Sequence, residues 1–173
     1  MLFLYKKCYS LPIQTKINLV TSLVFPILDY GCLVFASLSG YLLNKLTVSL
    51  NKSIRFIFKL KRHISITPYR KRLQWLDIGS RHKYFLGVAT FKILSTKKPP
   101  YLYSNLEEFF SVDRRDTRKR AFFDPPLIKS ATLAKSFSNS AMNFWNKIPE
   151  DIRNAESVNS FKSRLFKYLL LSC

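Results

Sequence analysis

The stretch SGYLLNKLTVSLNKSIRFIFKLKR at 39–62 decides how this chain folds. At 100° per residue, Leu43, Leu46, Leu50, Ile54, Ile57 and Phe58 fall on one side of a helix. Lys45, Lys52, Arg55, Lys59 and Arg62 fall on the other side, within roughly a third of the circumference. Phe56 lies on the basic side. The spacing predicts an amphipathic helix from about Ser39 to Leu60 with its aliphatic face turned to a core. Two readings of the opposite face compete. One is a solvated helix surface; the other is a ridge that tracks phosphates, with Phe56 placed to stack on a base. No Asp or Glu interleaves the cations, which favours the second, since helices that are merely soluble usually mix signs.

The same imbalance extends outward. From Tyr30 to Leu76 there are nine Lys or Arg and no Asp or Glu. Residues 1–106 carry seventeen basic side chains against two acidic ones, Asp29 and Asp77. The whole chain has a formal charge of +19 and a pI near 10.1. So one-sided a surface repels itself and is best tolerated beside a polyanion: nucleic acid or, failing that, an anionic membrane surface. With 173 residues and 47% apolar content, there is room for one domain, or one domain with an appended piece, and material for a packed core. That content argues against disorder. Only four glycines are present, which disfavours an all-β fold built on tight turns, and no run of alternating strand residues appears. The fold class expected is all-α.

The three cysteines, Cys8, Cys32 and Cys173, are isolated, so neither a disulfide framework nor a zinc site is indicated. The opening MLFLYKKCYS lacks the regions of a signal peptide. An intracellular location, nucleus or cytoplasm, is expected. INLVTSLVFPILDYGCLVFASL at 17–38 is long enough to span a bilayer. Asp29 near its middle, with Pro26, Asn18 and Gly31, favours a buried soluble helix instead.

Along the rest of the chain, an apolar helix is expected from about Thr15 to Ser37, kinked or broken at Pro26. Asp29 reads as a hydrogen-bonded structural carboxylate, because no second carboxylate stands nearby to hold a metal or share acid–base work. Thr67-Pro68 signals a helix start, followed by the basic cluster Arg70, Lys71 and Arg72. Gly79 reads as a helix stop and Ser80 as the next N-cap, with a helix from about Arg81 to Ser95 burying Phe85, Val88 and Phe91. Tyr101 to Phe110 reads as a short helical segment. His63 and His82 stand alone, as surface or helix-end residues rather than ligands. DRRDTRKR at 113–120 is expected to be a mobile loop. It is either a solvated linker or a place where Arg118, Lys119 and Arg120 clamp phosphates or signal nuclear import. A helix from Thr132 to Lys147 is expected to carry Leu133, Phe137, Ala141, Phe144 and Trp145 inward and to stop at Pro149. Ser157 is expected to cap a last helix built on Phe161, Leu165, Tyr168 and Leu169.

Several phrases taken together carry a family likeness: LVFPILDYG at 23–31, LNKSIRFIFKLKRHISITPYRKRLQWLDIGSRHKYF at 50–85, KKPPYL at 97–102, and KSFSNSAMNFWNKIPEDIRNAESVNSFKSRLFKYLL at 135–170. In this order the set resembles the region downstream of the polymerase palm in jockey-like non-LTR retrotransposon reverse transcriptases. The resemblance implies a helical thumb and post-thumb extension that grips template and primer. In that family the polymerase signature is a Tyr-any-Asp-Asp turn with a further metal-binding Asp, and this sequence contains no Asp-Asp pair. No catalytic residue carries over, no endonuclease motif or zinc knuckle is present, and two-metal phosphoryl transfer has no cluster of carboxylates to hold its ions. The chain is expected to be a non-catalytic fragment that needs no cofactor and no metal.

The expected organisation is a helical thumb-like region at 1–110, a basic irregular linker at 111–131, and a C-terminal helical pair at 132–173 that packs on the first part. The expected partners are RNA or an RNA/DNA template–primer, with the upstream palm of a related element as a second candidate. The expected contact residues are Lys45, Lys52, Arg55, Phe56, Lys59, Arg62, Arg70, Lys71, Arg72, Arg118, Lys119 and Arg120. Two further classes stay open: a helical interaction lobe that depends on a missing palm, and a membrane-associated basic protein with a span near 17–38.

Overall fold

Pro26 has no N–H to offer the carbonyl of Ser22, and its ring would collide with that carbonyl in an unbroken α-helix. The computed structural model, which describes residues 11–33, 40–112, 121–126 and 130–172, resolves this conflict with a local widening. Helix α1 (Ile13–Leu19) runs into a π-helical turn (Val20–Val24), and α2 (Phe25–Asp29) restarts with Pro26 in its first turn. The N–H of Phe25 reaches back five residues to the carbonyl of Val20. Thr21 and Ser22 donate their hydroxyls to the carbonyls of Ile17 and Asn18 at 3.0 and 2.7 Å. Asp29 ends the helix; Tyr30 is extended, and Gly31 takes a φ of 65°. The helix expected to reach Ser37 therefore stops at Asp29. Among the described residues, no helix is long and apolar enough to cross a membrane.

The regular structure of the described residues is helical apart from one short ribbon, so the all-α expectation holds. They form two compact units. The first comprises residues 11–32 and 40–78; the second comprises residues 33, 79–112, 121–126 and 130–172. The division falls in the first turn of a helix.

In the first unit, α3 (Gly40–Phe58) buries Leu50, Ser53, Ile54, Phe56 and Ile57 against Val20, Trp75 and Ile78. Leu43, Leu46 and Phe58 flank this core half-buried, as the aliphatic stripe predicts. Phe25 meets Trp75 edge-on, with ring centroids 4.6 Å apart. The short helix α4 (Thr67–Arg72) follows.

The second unit begins in α5 (Ile78–Thr96), which passes without interruption through Gly79 and Ser80. The expected stop and cap do not form there. Ser80 is buried within the helix instead of capping its start, an instance of tertiary context overriding local preference. After α6 (Pro100–Glu107), strands β1 (Phe110–Val112) and β2 (Ala121–Phe123) pair antiparallel, with Phe110 opposite Phe123 and Val112 opposite Ala121. Three-residue strands are too short to leave an alternating pattern, so this ribbon was invisible in the sequence.

Helices α7 (Ala131–Ala134), α8 (Phe137–Lys147), α9 (Glu150–Arg153) and α10 (Val158–Leu171) complete the unit. The single helix expected over 132–147 is thus divided. Ser136 caps α8 by accepting the N–H of Asn139, and the Asn139 amide donates to the carbonyl of Ala134 at 2.7 Å. Leu133 is left exposed by that break. Ser157 caps α10 as expected, accepting the N–H of Ser160 at 3.2 Å. Phe161 stacks on Phe91 at 4.3 Å and on Trp145 at 5.9 Å, joining α5, α8 and α10 around one aromatic core. Gly87 lets α10 and α8 close on α5: a Cβ there would stand 2.7 Å from Leu165 Cδ2 and 3.0 Å from Phe144 Cε1. The side chain of Asn146 fixes β2 to α8 by accepting the N–H of Phe123 at 2.9 Å and donating to its carbonyl at 2.8 Å.

Candidate nucleic-acid interface

The cations of the first unit are organised by how α3 ends. Lys59 takes a left-handed φ of 53°, and the N–H of Leu60 donates to the carbonyl of Arg55 at 3.0 Å. This is the six-to-one closure of a Schellman motif, usually served by glycine. The Arg55 guanidinium folds back and donates to the carbonyl of Lys61, bracing the turn that follows. Arg62 therefore lies in that turn rather than on the helix face assigned to it. A cation at a helix C-terminus also meets the negative end of the helix dipole, so the local field tolerates the crowding.

The chain then re-enters α4, which is held against the end of α3 by aromatic contact. Tyr69 lies 4.9 Å from Phe58, and the Arg72 guanidinium carbon sits 5.9 Å from the Phe58 ring centroid. A second left-handed residue, Gln74 with φ 54°, closes α4 through bonds from Gln74 N–H to Lys71 O and from Trp75 N–H to Arg70 O. The two basic tracts thus come together at one end of α3. Lys59, Lys61 and Arg62 lie on the turn; Lys71 and Arg72 lie on α4; all five are exposed. Arg70 is half-buried. Lys52 and Lys45 continue the exposed line back along α3, seven residues apart, or about 10 Å of helix rise.

Phe56 departs from the expected role. The residue is only 8% exposed and belongs to the core of the first unit. Helix α1 covers it: Lys16, itself 2% exposed, carries its ammonium 5.4 Å from the Phe56 centroid. The helical wheel placed Phe56 at the edge of the basic face, and a second helix covering that edge leaves no trace in a wheel. A base cannot reach the ring. Arg118, Lys119 and Arg120 lie outside the described residues.

Sequence reasoning also passed over two residues. Lys61 is exposed beside Arg62 and supplies the carbonyl that holds Arg55. Tyr41 is 67% exposed, one turn before Lys45, whose ammonium lies 4.5 Å from its ring centroid. The i, i+4 spacing of Tyr41 and Lys45 was the available signal.

The second unit offers a different surface, a groove of about 690 Å³ lined by Asn105, Glu108, Phe109, Leu133, Asn139 and Met142 among others. Glu108 is the one titratable side chain among its described lining residues, so it holds no acid–base pair. No group of three or more His, Cys, Asp or Glu among the described residues could hold a metal ion. No protein-family model, curated protein or solved structure matches the chain.

Proposed function

We propose that this chain grips nucleic acid by its phosphates, through the exposed line of Lys45 and Lys52 on α3 and the cluster of Lys59, Lys61, Arg62, Lys71 and Arg72 at its end. The contact of Arg72 with Phe58 carries this reading, because it converges two basic tracts that are separate in sequence. Between residues 11 and 78 there are ten Lys or Arg against two acidic residues, so two carboxylates cannot balance the cations of this unit. Contacts to phosphate position a strand without reading its bases, so binding is sequence-tolerant. In this reading the chain is a non-catalytic piece of a retrotransposon reverse transcriptase that holds template and primer, as the resemblance of its ordered phrases to the region after the palm implies.

The test is fluorescence anisotropy with labelled RNA and with an RNA/DNA hybrid over a salt series. The variant combines Lys52→Gln, Lys59→Gln, Arg62→Gln and Lys71→Gln, and spares Arg55 because it braces the turn. It is expected to bind more weakly, with a log–log salt slope shallower by about 3 if each cation meets one phosphate. An unchanged slope in a variant with native helicity refutes the proposal.

A second reading rests on apolar exposure along the first helices. Leu23, Ile27 and Tyr30 are 50%, 76% and 83% exposed at i, i+4, i+7 spacing. Such a stripe suits a lobe that docks on another polypeptide, for which the palm of a related element is the candidate. Co-expression with that palm, followed by pull-down, is expected to retain the wild-type chain and to lose an Ile27→Lys variant. Equal retention of both refutes docking through this stripe.

A further inference from the structure

We infer that Tyr41 receives an unpaired base, so that α3 adds a contact specific to single strands to its grip on phosphates. The inference rests on the phosphate-gripping reading above. Stacking needs an open aromatic face beside cations that can hold the neighbouring phosphates. Phe56 fails that requirement because α1 covers it. Tyr41 meets it. At 100° per residue, Tyr41, Lys45 and Lys52 lie within about 40° of one another on α3. All three are exposed, Tyr41 at 67%.

The Lys45 ammonium lies over one face of the ring, 4.5 Å from its centroid, so a base would stack on the other face with a cation held close by. Other exposed tyrosines lack this setting. Tyr30 follows α2, and Tyr101 lies on α6 in the second unit. A duplex keeps its bases stacked on one another and offers phosphates alone to the ridge. A single strand offers phosphates and free π-faces, so the ring adds affinity only for the single strand.

Binding of three labelled probes of equal length tests this: an oligouridylate, the same backbone with abasic sites, and a duplex. Wild-type protein is expected to prefer the oligouridylate over the abasic strand by on the order of 10-fold. Tyr41→Ala should abolish that preference while leaving duplex affinity unchanged, and Tyr41→Phe should restore it. A preference that survives in Tyr41→Ala overturns the inference, as does an equal loss on all three probes. The Lys52, Lys59, Arg62 and Lys71 variant separates the two levels. If it loses binding to every probe while Tyr41→Ala changes nothing, the phosphate grip stands and the stacking role falls. If it binds as wild type, the phosphate grip itself falls.

Discussion

The Lys16 ammonium lies 5.4 Å from the centroid of the Phe56 ring, and both side chains are buried. A lysine stem can cover an aromatic face while its charge gains from the π-system, so the contact seals one edge of the α3 core. It makes Phe56 a core residue flanked by cations.

Phe56→Ala is therefore expected to cost stability, about 3–5 kcal/mol, as for other buried aromatic truncations. Phe56→Leu keeps apolar volume and should cost far less, about 1–2 kcal/mol. Denaturant unfolding measures both. Nucleic-acid affinity of the folded Phe56→Leu protein should equal that of wild type. A selective loss of single-strand binding in Phe56→Leu would return the stacking role to Phe56.

Lys59 separates stability from binding. Its left-handed backbone costs an L-residue about 1–2 kcal/mol, which glycine avoids. Lys59→Gly is expected to raise thermal stability by about 1 kcal/mol while weakening binding and flattening the salt slope by roughly 0.7–0.9. A variant that is both more stable and a tighter binder contradicts the place of Lys59 in the interface.

Gly87 is expected to behave oppositely. In a helix interior, alanine normally gains about 1 kcal/mol over glycine. Here the added methyl meets Leu165 Cδ2 at 2.7 Å and Phe144 Cε1 at 3.0 Å, and overpacking costs about 1–3 kcal/mol. Gly87→Ala should therefore lower stability, and Gly87→Ala combined with Leu165→Val should recover part of the loss. A double-mutant cycle by urea unfolding reads the coupling.

Tyr84 provides an alkaline signature of the second unit. Burial pushes its phenol above the ordinary value of 10.0, with the nearby Arg81 opposing that shift in part. The unfolded chain gives up this proton as pH climbs past 10 while the folded chain retains it. This phenol's contribution to stability is thus full below pH 10 and declines above it. Comparing Tyr84→Phe with wild type across pH 9 to 11 isolates the effect: the variant should lose less stability on the alkaline side. Parallel curves would show the phenol to be solvated.

Local chemistry alone carried the helical character of the chain, the aliphatic stripe of α3, the cap at Ser157, the helix start at Thr67-Pro68, and the basic tracts at 45–62 and 70–72. Each depends on residues within a turn or two of one another, so periodicity and cap chemistry report them directly. Helix ends were harder to read wherever glycine was absent. Lys59, Gln74 and Lys97 all take left-handed conformations with no residue-type signal, whereas Gly79, the apparent stop, lies inside α5. The burial of Phe56, the convergence of Arg72 on Phe58, and the aromatic stack of Phe91, Phe161 and Trp145 were decided only in three dimensions. Each depends on which distant helix covers which face, and that choice is settled by apolar burial summed over a whole unit.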